Sequence, residues 1–169
     1  MTSRSFYAWA GCALALFTAQ TSLLPRLSFH GVSTDFLLLL TVSFAFLQGS
    51  RYGVLMGFSV GLMQDLVTGT FFGTNVFCKM VIGYICGKMS DQVFKDQFYL
   101  PILASLIATV CNYFLMALFI LLLGYQLALE EHVKATLLPM LCYQVIFAYP
   151  VHRLVCKIDA WLNDKKKNR

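Results

Sequence analysis

The stretch GVLMGFSVGLMQDLVTGTFFGTNVFCKMVIGYICG, residues 53–87, decides how this chain folds. Gly53, Gly57, Gly61, Asp65, Gly69 and Gly73 recur every four residues, and Asn75, Lys79, Gly83 and Gly87 keep the same interval in the second half. Residues four apart on a helix lie nearly above one another, so each half predicts a helix with a narrow stripe of small side chains. Such stripes let helix backbones approach closely in lipid, where packing rather than the hydrophobic effect drives association. Phe71 and Phe72 mark the turn between two antiparallel helices. Counting from that turn puts Asp65 and Lys79 at depths that agree within about 2 Å, at 1.5 Å per residue. The expectation is a pair of opposite charges facing each other inside the bundle. A lone charge at the centre of a spanning helix costs at least about 2.5–3.5 kcal/mol, which pairing relieves. Gln64 or Asn75 would add hydrogen bonds. Two roles stay open for the pair: fixing helix register, or lining an ion, proton or small-ligand pathway.

The rest of the chain sets this hairpin in an apolar context. Of 169 residues, 59% are hydrophobic and 12% are charged, where an average soluble domain carries about 25% charged residues. Mean hydropathy is +0.70. A soluble fold would have to leave much of that apolar surface in water, at roughly 25 cal/mol per Å². The composition excludes a soluble domain, a disordered chain and a secreted disulfide scaffold, and it points to an integral membrane protein without a large ectodomain. The six cysteines, Cys12, Cys78, Cys86, Cys111, Cys142 and Cys156, sit in or beside apolar runs and form no CxxC pair. They read as small hydrophobes, and no metal-ligand spacing accompanies them.

A spanning helix needs about 20 apolar residues. Six candidate spans follow: residues 6–24, 33–48, 52–68, 72–89, 99–123 and 136–156. The first lacks a clean A-x-A site, so it reads as a retained span and not a cleaved signal. The second is the weakest, because its strictly apolar run is short and Asp35 abuts it. Pro150 predicts a kink in the sixth. Charge distribution argues for all six. With the N-terminus in the cytoplasm, Arg4, Arg51, Lys88, Lys95, Arg153, Lys157, Lys165, Lys166, Lys167 and Arg169 lie inside, and only Arg26 and Lys134 lie outside. Removing the second span inverts that bias. The outer segment containing Glu130 and Glu131 fits the same orientation. Residues 157–169 form a basic cytoplasmic tail, and from Val151 onward Leu154, Val155, Ile158, Trp161 and Leu162 recur at helical spacing as the last helix leaves the bilayer. Trp161 is expected as an interfacial anchor. Lys165, Lys166 and Lys167 would attract anionic headgroups at up to about 1 kcal/mol each, or serve only to set topology.

Among polar residues inside spans, Gln20, Asn112 and Gln144 are expected to hydrogen-bond neighbouring helices. His30 and His132 fall in outer loops and His152 at an inner end, so no proton relay can be drawn. The sequence contains no HExxH, GxSxG, P-loop or GxGxxG motif, no second deep acid opposite Asp65 and no buried Ser–His dyad. An enzyme, a cofactor and a nucleic-acid partner are not expected. The reading from residues alone is a single all-α, six-pass membrane bundle with one tight, polar-centred helix pair and no clear inverted repeat of the transporter kind.

Residues 20–87 resemble the MreD family of bacterial rod shape-determining membrane proteins. The resemblance is carried by Gln20, Leu23-Leu24-Pro25, Gly31, Asp35-Phe36-Leu37-Leu38-Leu39-Leu40, Gln48-Gly49, Gly53, the run from Gly57 to Leu66 (GFSVGLMQDL), Gly73, Asn75 and Gly83-Tyr84. Thr34 stands where the family usually has Pro. The resemblance implies a non-catalytic adaptor of the cell-elongation machinery in the bacterial inner membrane. It would act with MreC, the MreB filament, RodA and a class B penicillin-binding protein to place lateral peptidoglycan synthesis. The Gly53/Gly57/Gly61 face is then expected to close the bundle itself, leaving lipid-facing positions and outer loops to meet MreC. The family is also similar to the six-helix S components of energy-coupling-factor transporters. That similarity keeps a vitamin-like ligand-binding subunit, or a small ion-coupled transporter, as alternatives.

Overall fold

A computed structural model describes residues 3–22, 34–69, 71–90, 100–124 and 137–167. The described residues form six helices and no strand: α1 (Ser3–Ser22), α2 (Phe36–Gln48), α3 (Ser50–Thr68), α4 (Thr74–Ser90), α5 (Leu100–Leu122) and α6 (Leu138–Lys167). The outer-loop residues singled out above, Arg26, His30, Gly31, Glu130, Glu131, His132 and Lys134, lie outside the described residues, as does Lys95.

The weakest of the expected spans is the centre of the fold. α2 has 13 residues, so it is about 19.5 Å long, well short of the roughly 30 Å hydrocarbon thickness. Every residue from Phe36 to Ala45 is buried. The helix packs against all five others, so its length answers to protein neighbours and not to lipid. Its apolar surface goes to two clusters. On one side Leu37, Leu39, Leu40 and Phe44 meet Trp9 of α1, Met56 and Val60 of α3, and Ala148, Val151 and Val155 of α6. On the other Leu38, Val42 and Ala45 meet Ile82 and Cys86 of α4 and Ala104 and Ala108 of α5. Trp9 stands edge-on to Phe44 at 4.7 Å and Phe36 edge-on to Phe147 at 5.1 Å, a geometry that the ring quadrupoles favour.

Burial follows an inverted pattern. Lys79, Asp65, Asn75, Thr109, Asn112 and Gln144 are buried, whereas Phe58, Phe77, Phe114, Leu118, Ile146 and Leu154 are exposed. Among the described residues one segment, Ile102–Leu122, is by length and composition alone long and apolar enough to cross a membrane. α3, α4 and α6 carry inward polar residues instead, which lowers their average apolarity without placing charge on the outer surface of the hairpin's middle.

α6 runs past residue 156, where the sixth apolar stretch ends, as the helical spacing of Ile158, Trp161 and Leu162 predicts. It continues as one 30-residue helix, about 45 Å long, through Pro150 to Lys167. Pro150 lacks one N–H, yet the flanking turns stay helical because Val151 and Val155 are packed into the core while Ile158 and Leu162 lean on it. Trp161 is exposed.

Candidate functional site

The close contact of α3 with α4 is backbone against backbone. A Cβ added at Gly53 would lie 2.5 Å from the Gly83 carbonyl oxygen and 2.7 Å from Cβ of Ala45. One added at Gly57 would overlap the Lys79 carbonyl, and one at Gly61 would sit 2.6 Å from Cα of Val76 and 2.8 Å from the Asn75 carbonyl oxygen. Gly83 meets Gly53 in return, and Gly87 abuts the Ser50 backbone. Only hydrogen fits at these positions. Gly69 and Gly73 act differently: at φ 64° and 97° they turn the chain in open space between the two helices.

This register corrects the expected charge pair. The residue level with Lys79 is Gly57, and Asp65 is eight residues further along α3, about 12 Å away in depth. Counting from Phe71-Phe72 failed because α3 ends at Thr68 with Gly69 as its left-handed cap, so the turn is not centred on the phenylalanines.

Asp65 instead caps α4. Its Oδ2 accepts from the backbone N–H of Gly73 at 2.9 Å and of Val76 at 3.1 Å. Its Oδ1 accepts from the Asn75 N–H at 3.2 Å and the Asn75 side-chain amide at 2.8 Å. A helix start carries unpaired N–H groups and partial positive charge, so a buried carboxylate is stable there without a cation. Asp65 is 2% exposed.

Lys79 reaches Asp35 of the central helix instead, with Nζ 2.6 Å from Oδ2 and both side chains buried. Asp35 was expected only as a flanking charge at the start of a span. Its Oδ1 accepts from the Leu38 N–H at 3.0 Å, which makes it the N-cap of α2. Gln20 of α1 completes that end, its Oε1 accepting from the N–H groups of Phe36 at 3.0 Å and Leu37 at 3.4 Å. Two helix starts are thus closed by two buried carboxylates, and Lys79 ties one of them to α4. The position of an Asp immediately before an apolar run with a donor three residues on was the available sequence signal for the first cap.

The opposite end of α2 is held as well. Gln48 donates from Nε2 to Asp159 Oδ1 of α6 at 2.5 Å, and Asp159 Oδ2 accepts from Asn163 at 3.0 Å. Ser90 donates to the Phe46 carbonyl at 2.5 Å. Nothing in the spacing of Gln48 and Asp159, 111 residues apart, announces that contact.

The remaining expected residues are dispersed. Among the described residues, the Gln64 Oε1, the Asn112 Oδ1, the Asn75 Oδ1 and both amide atoms of Gln144 are buried without a protein hydrogen bond. The Cys156 thiol lies 3.4 Å from His152 Nε2, but His152 Nδ1 has no protein partner to orient the ring, so a nucleophile–base–orienter arrangement is incomplete there. Lys165, Lys166 and Lys167 close the last turn of α6, and their side chains lie outside the described residues. No group of three or more His, Cys, Asp or Glu that could hold a metal ion occurs among the described residues.

A protein-family model described as rod shape-determining protein MreD matches residues 3–158. No curated protein and no solved structure matches the chain. The matched segment takes in both caps, the glycine contact and the first two-thirds of α6.

Proposed function

Because the chain belongs to the MreD family of rod shape-determining proteins, we propose that it is a non-catalytic membrane scaffold that organises lateral peptidoglycan synthesis with MreC. In this reading all six helices cross or lie within the bacterial inner membrane, with both termini in the cytoplasm. MreC would connect it to the MreB filament, RodA and a class B penicillin-binding protein.

The observation that carries this reading is the inverted burial. Lys79 is 0% exposed and paired, whereas Phe77, two residues earlier on the same helix, is 50% exposed. A protein surrounded by water gains by the reverse arrangement. A helix bundle in lipid must satisfy its polar groups internally and can face outward with phenylalanine and leucine. The ionised groups at the centre also suit a scaffold. The oxygens of Asp35 and Asp65 are engaged in closing helix ends and an ion pair, which holds α2, α3 and α4 in one arrangement, and Gln20 ties α1 to the start of α2. A catalytic acid or base would need a carboxylate oxygen or amine turned toward a reacting group.

Depletion of the protein in a rod-shaped host tests the reading. The expected result is rounded cells, restored by the wild-type chain, with MreC co-purifying in mild detergent. Cells that keep their rod shape and normal width after depletion would count against it. Reporter fusions at both ends should report the cytoplasm; termini on opposite faces would remove the six-crossing arrangement while leaving the shape phenotype to stand on its own.

A further inference from the structure

Between α1 and α3 runs a cleft of about 380 Å³, walled by Trp9, Ala10, Ala13 and Leu14 on one side and by Tyr52 to Met63 on the other, with Phe44 of α2 as its floor. We propose that this cleft holds one acyl chain of an anionic phospholipid, with the headgroup phosphate at Arg51. The inference rests on the membrane-embedded reading above.

Three observations lead to it. The first is size. From Tyr52 to Met63 the α3 wall advances eleven residues, about 16 Å, and the α1 wall from Trp9 to Leu14 advances about 7.5 Å. A trough elongated along α3 and open on one side takes a file of methylenes laid along the helix, each in van der Waals contact with the walls at about 4 Å. At about 1.25 Å of advance per methylene, from C–C bonds of about 1.5 Å, the trough takes roughly 13 of them.

The second is chemistry. The walls are apolar apart from Ser59 and the Tyr52 hydroxyl, and Ser59 spends its proton on the Leu55 carbonyl at 2.9 Å. No buried polar atom along the trough requires a polar ligand. The rim residues Leu14 and Leu55 are more than half exposed, so the trough opens sideways where lipid chains lie. Ala10 and Ala13 on α1 keep its wall low.

The third is a positive charge beside one end. Arg51 is exposed and sits four residues before Leu55, on the same stripe of α3 that walls the trough. Trp9 packs on Phe44 and Gln20 on the start of α2, so α1 and α3 run parallel and both begin at this end. Arg4 belongs to the first turn of α1, which begins at this same end. None of the residues lining the trough is itself charged. A cationic mouth on an apolar trough complements an anionic head with its tail.

The test uses the full chain purified in mild detergent and exposed to an equimolar mixture of phosphatidylglycerol and phosphatidylethanolamine, followed by native mass spectrometry. Wild type should retain one phospholipid after the remaining micelle is stripped, with phosphatidylglycerol favoured about fivefold, the discrimination expected of one arginine near the surface. Arg51→Gln should bring that preference close to unity while a lipid is still retained. Ser59→Phe, which fills the trough from its rim, should lose the retained lipid. Leu14→Trp blocks it from the opposite wall and should do the same, so a folding failure of one variant does not decide the matter. Retention by both blocked variants at the wild-type level, a preference unchanged in Arg51→Gln, or an empty wild-type chain would overturn the proposal. So would a partner's apolar helix cross-linking to Leu55→Cys in the trough in place of lipid. Alkaline carbonate washing of membranes separates this outcome from the one it rests on: release of the wild-type chain would refute membrane embedding, whereas retention there with an empty trough refutes the lipid site alone.

Discussion

Replacing Lys79 with Met removes the cation from a fully buried ion pair while keeping the length of the side chain. Asp35 then loses its 2.6 Å partner and keeps a single backbone donor, the Leu38 N–H. A buried carboxylate stripped of its counter-charge typically costs about 3–5 kcal/mol. Asp35→Asn alone should cost less than Asp35→Ala by about 1 kcal/mol, since Asn still accepts from the start of α2 and Ala does not. The double change Asp35→Asn/Lys79→Met removes both charges, and its stability should return to within about 1–2 kcal/mol of wild type, because isosteric neutral replacement of buried pairs is often close to neutral. Asp35→Asn likewise leaves the buried Lys79 unpaired, at about 3–5 kcal/mol, so the coupling energy should be at least about 4 kcal/mol. A parallel cycle of Asp65→Asn with Lys79→Met should be additive within about 0.5 kcal/mol, since a depth difference of eight residues separates them. Trp9, buried against Phe44, reports unfolding by fluorescence in mixed micelles, with Trp161→Phe as background to remove the exposed indole. A Lys79→Met cost below about 1 kcal/mol, or coupling of Lys79 to Asp65 rather than to Asp35, would refute the reasoning.

Two further outcomes follow from the α3–α4 contact. Gly57→Ala drives a methyl group into the Lys79 backbone and should lower stability by more than the roughly 1–3 kcal/mol typical of overpacking, whereas Gly11→Ala, with nothing within 4 Å, should be neutral or stabilising by up to about 1 kcal/mol from helix propensity; thermal unfolding of the two variants side by side reads the difference, and equal effects would contradict the register. Asp65→Ala leaves the Gly73, Asn75 and Val76 N–H groups without their acceptor and should cost at least about 2 kcal/mol, with faster hydrogen exchange confined to the first turn of α4; unchanged exchange at those amides would show that the cap is not needed.

The hairpin was legible because glycine spacing reports directly on how near two backbones can come. Its antiparallel sense was legible for the same reason. The partner of Lys79 was not, because depth counted from a turn depends on where each helix stops, and Gly69 stops α3 three residues before the phenylalanines. Helix existence was clear for every span, and the importance of the second was hidden by a rule that equates spanning length with lipid contact. α2 is short and flanked by polar residues because Gln20, Lys79 and Asp159 come to its ends from elsewhere in the chain. The continuation of α6 past Lys157 was legible too, because Ile158, Trp161 and Leu162 keep the helical interval where the sequence changes from apolar to basic. That Gln20 bonds a neighbouring helix was expected, but its partners at the start of α2, like the contact of Gln48 with Asp159, were beyond reach, since each joins residues whose proximity is a product of the finished packing.

The ends of α2 have a consequence for how the protein is made. This helix is fastened by Gln20 before it in the chain, by Lys79 after it, and by Asp159, which a ribosome reaches last of the three. During synthesis in a membrane the innermost helix therefore waits, with its capping groups in place at one end and its far end open, until nearly the whole polypeptide has emerged. A nascent chain halted before Asp159 should expose that helix to quality-control proteases, so abundance in the cell will depend on the final turns of α6 even where those turns touch no other protein.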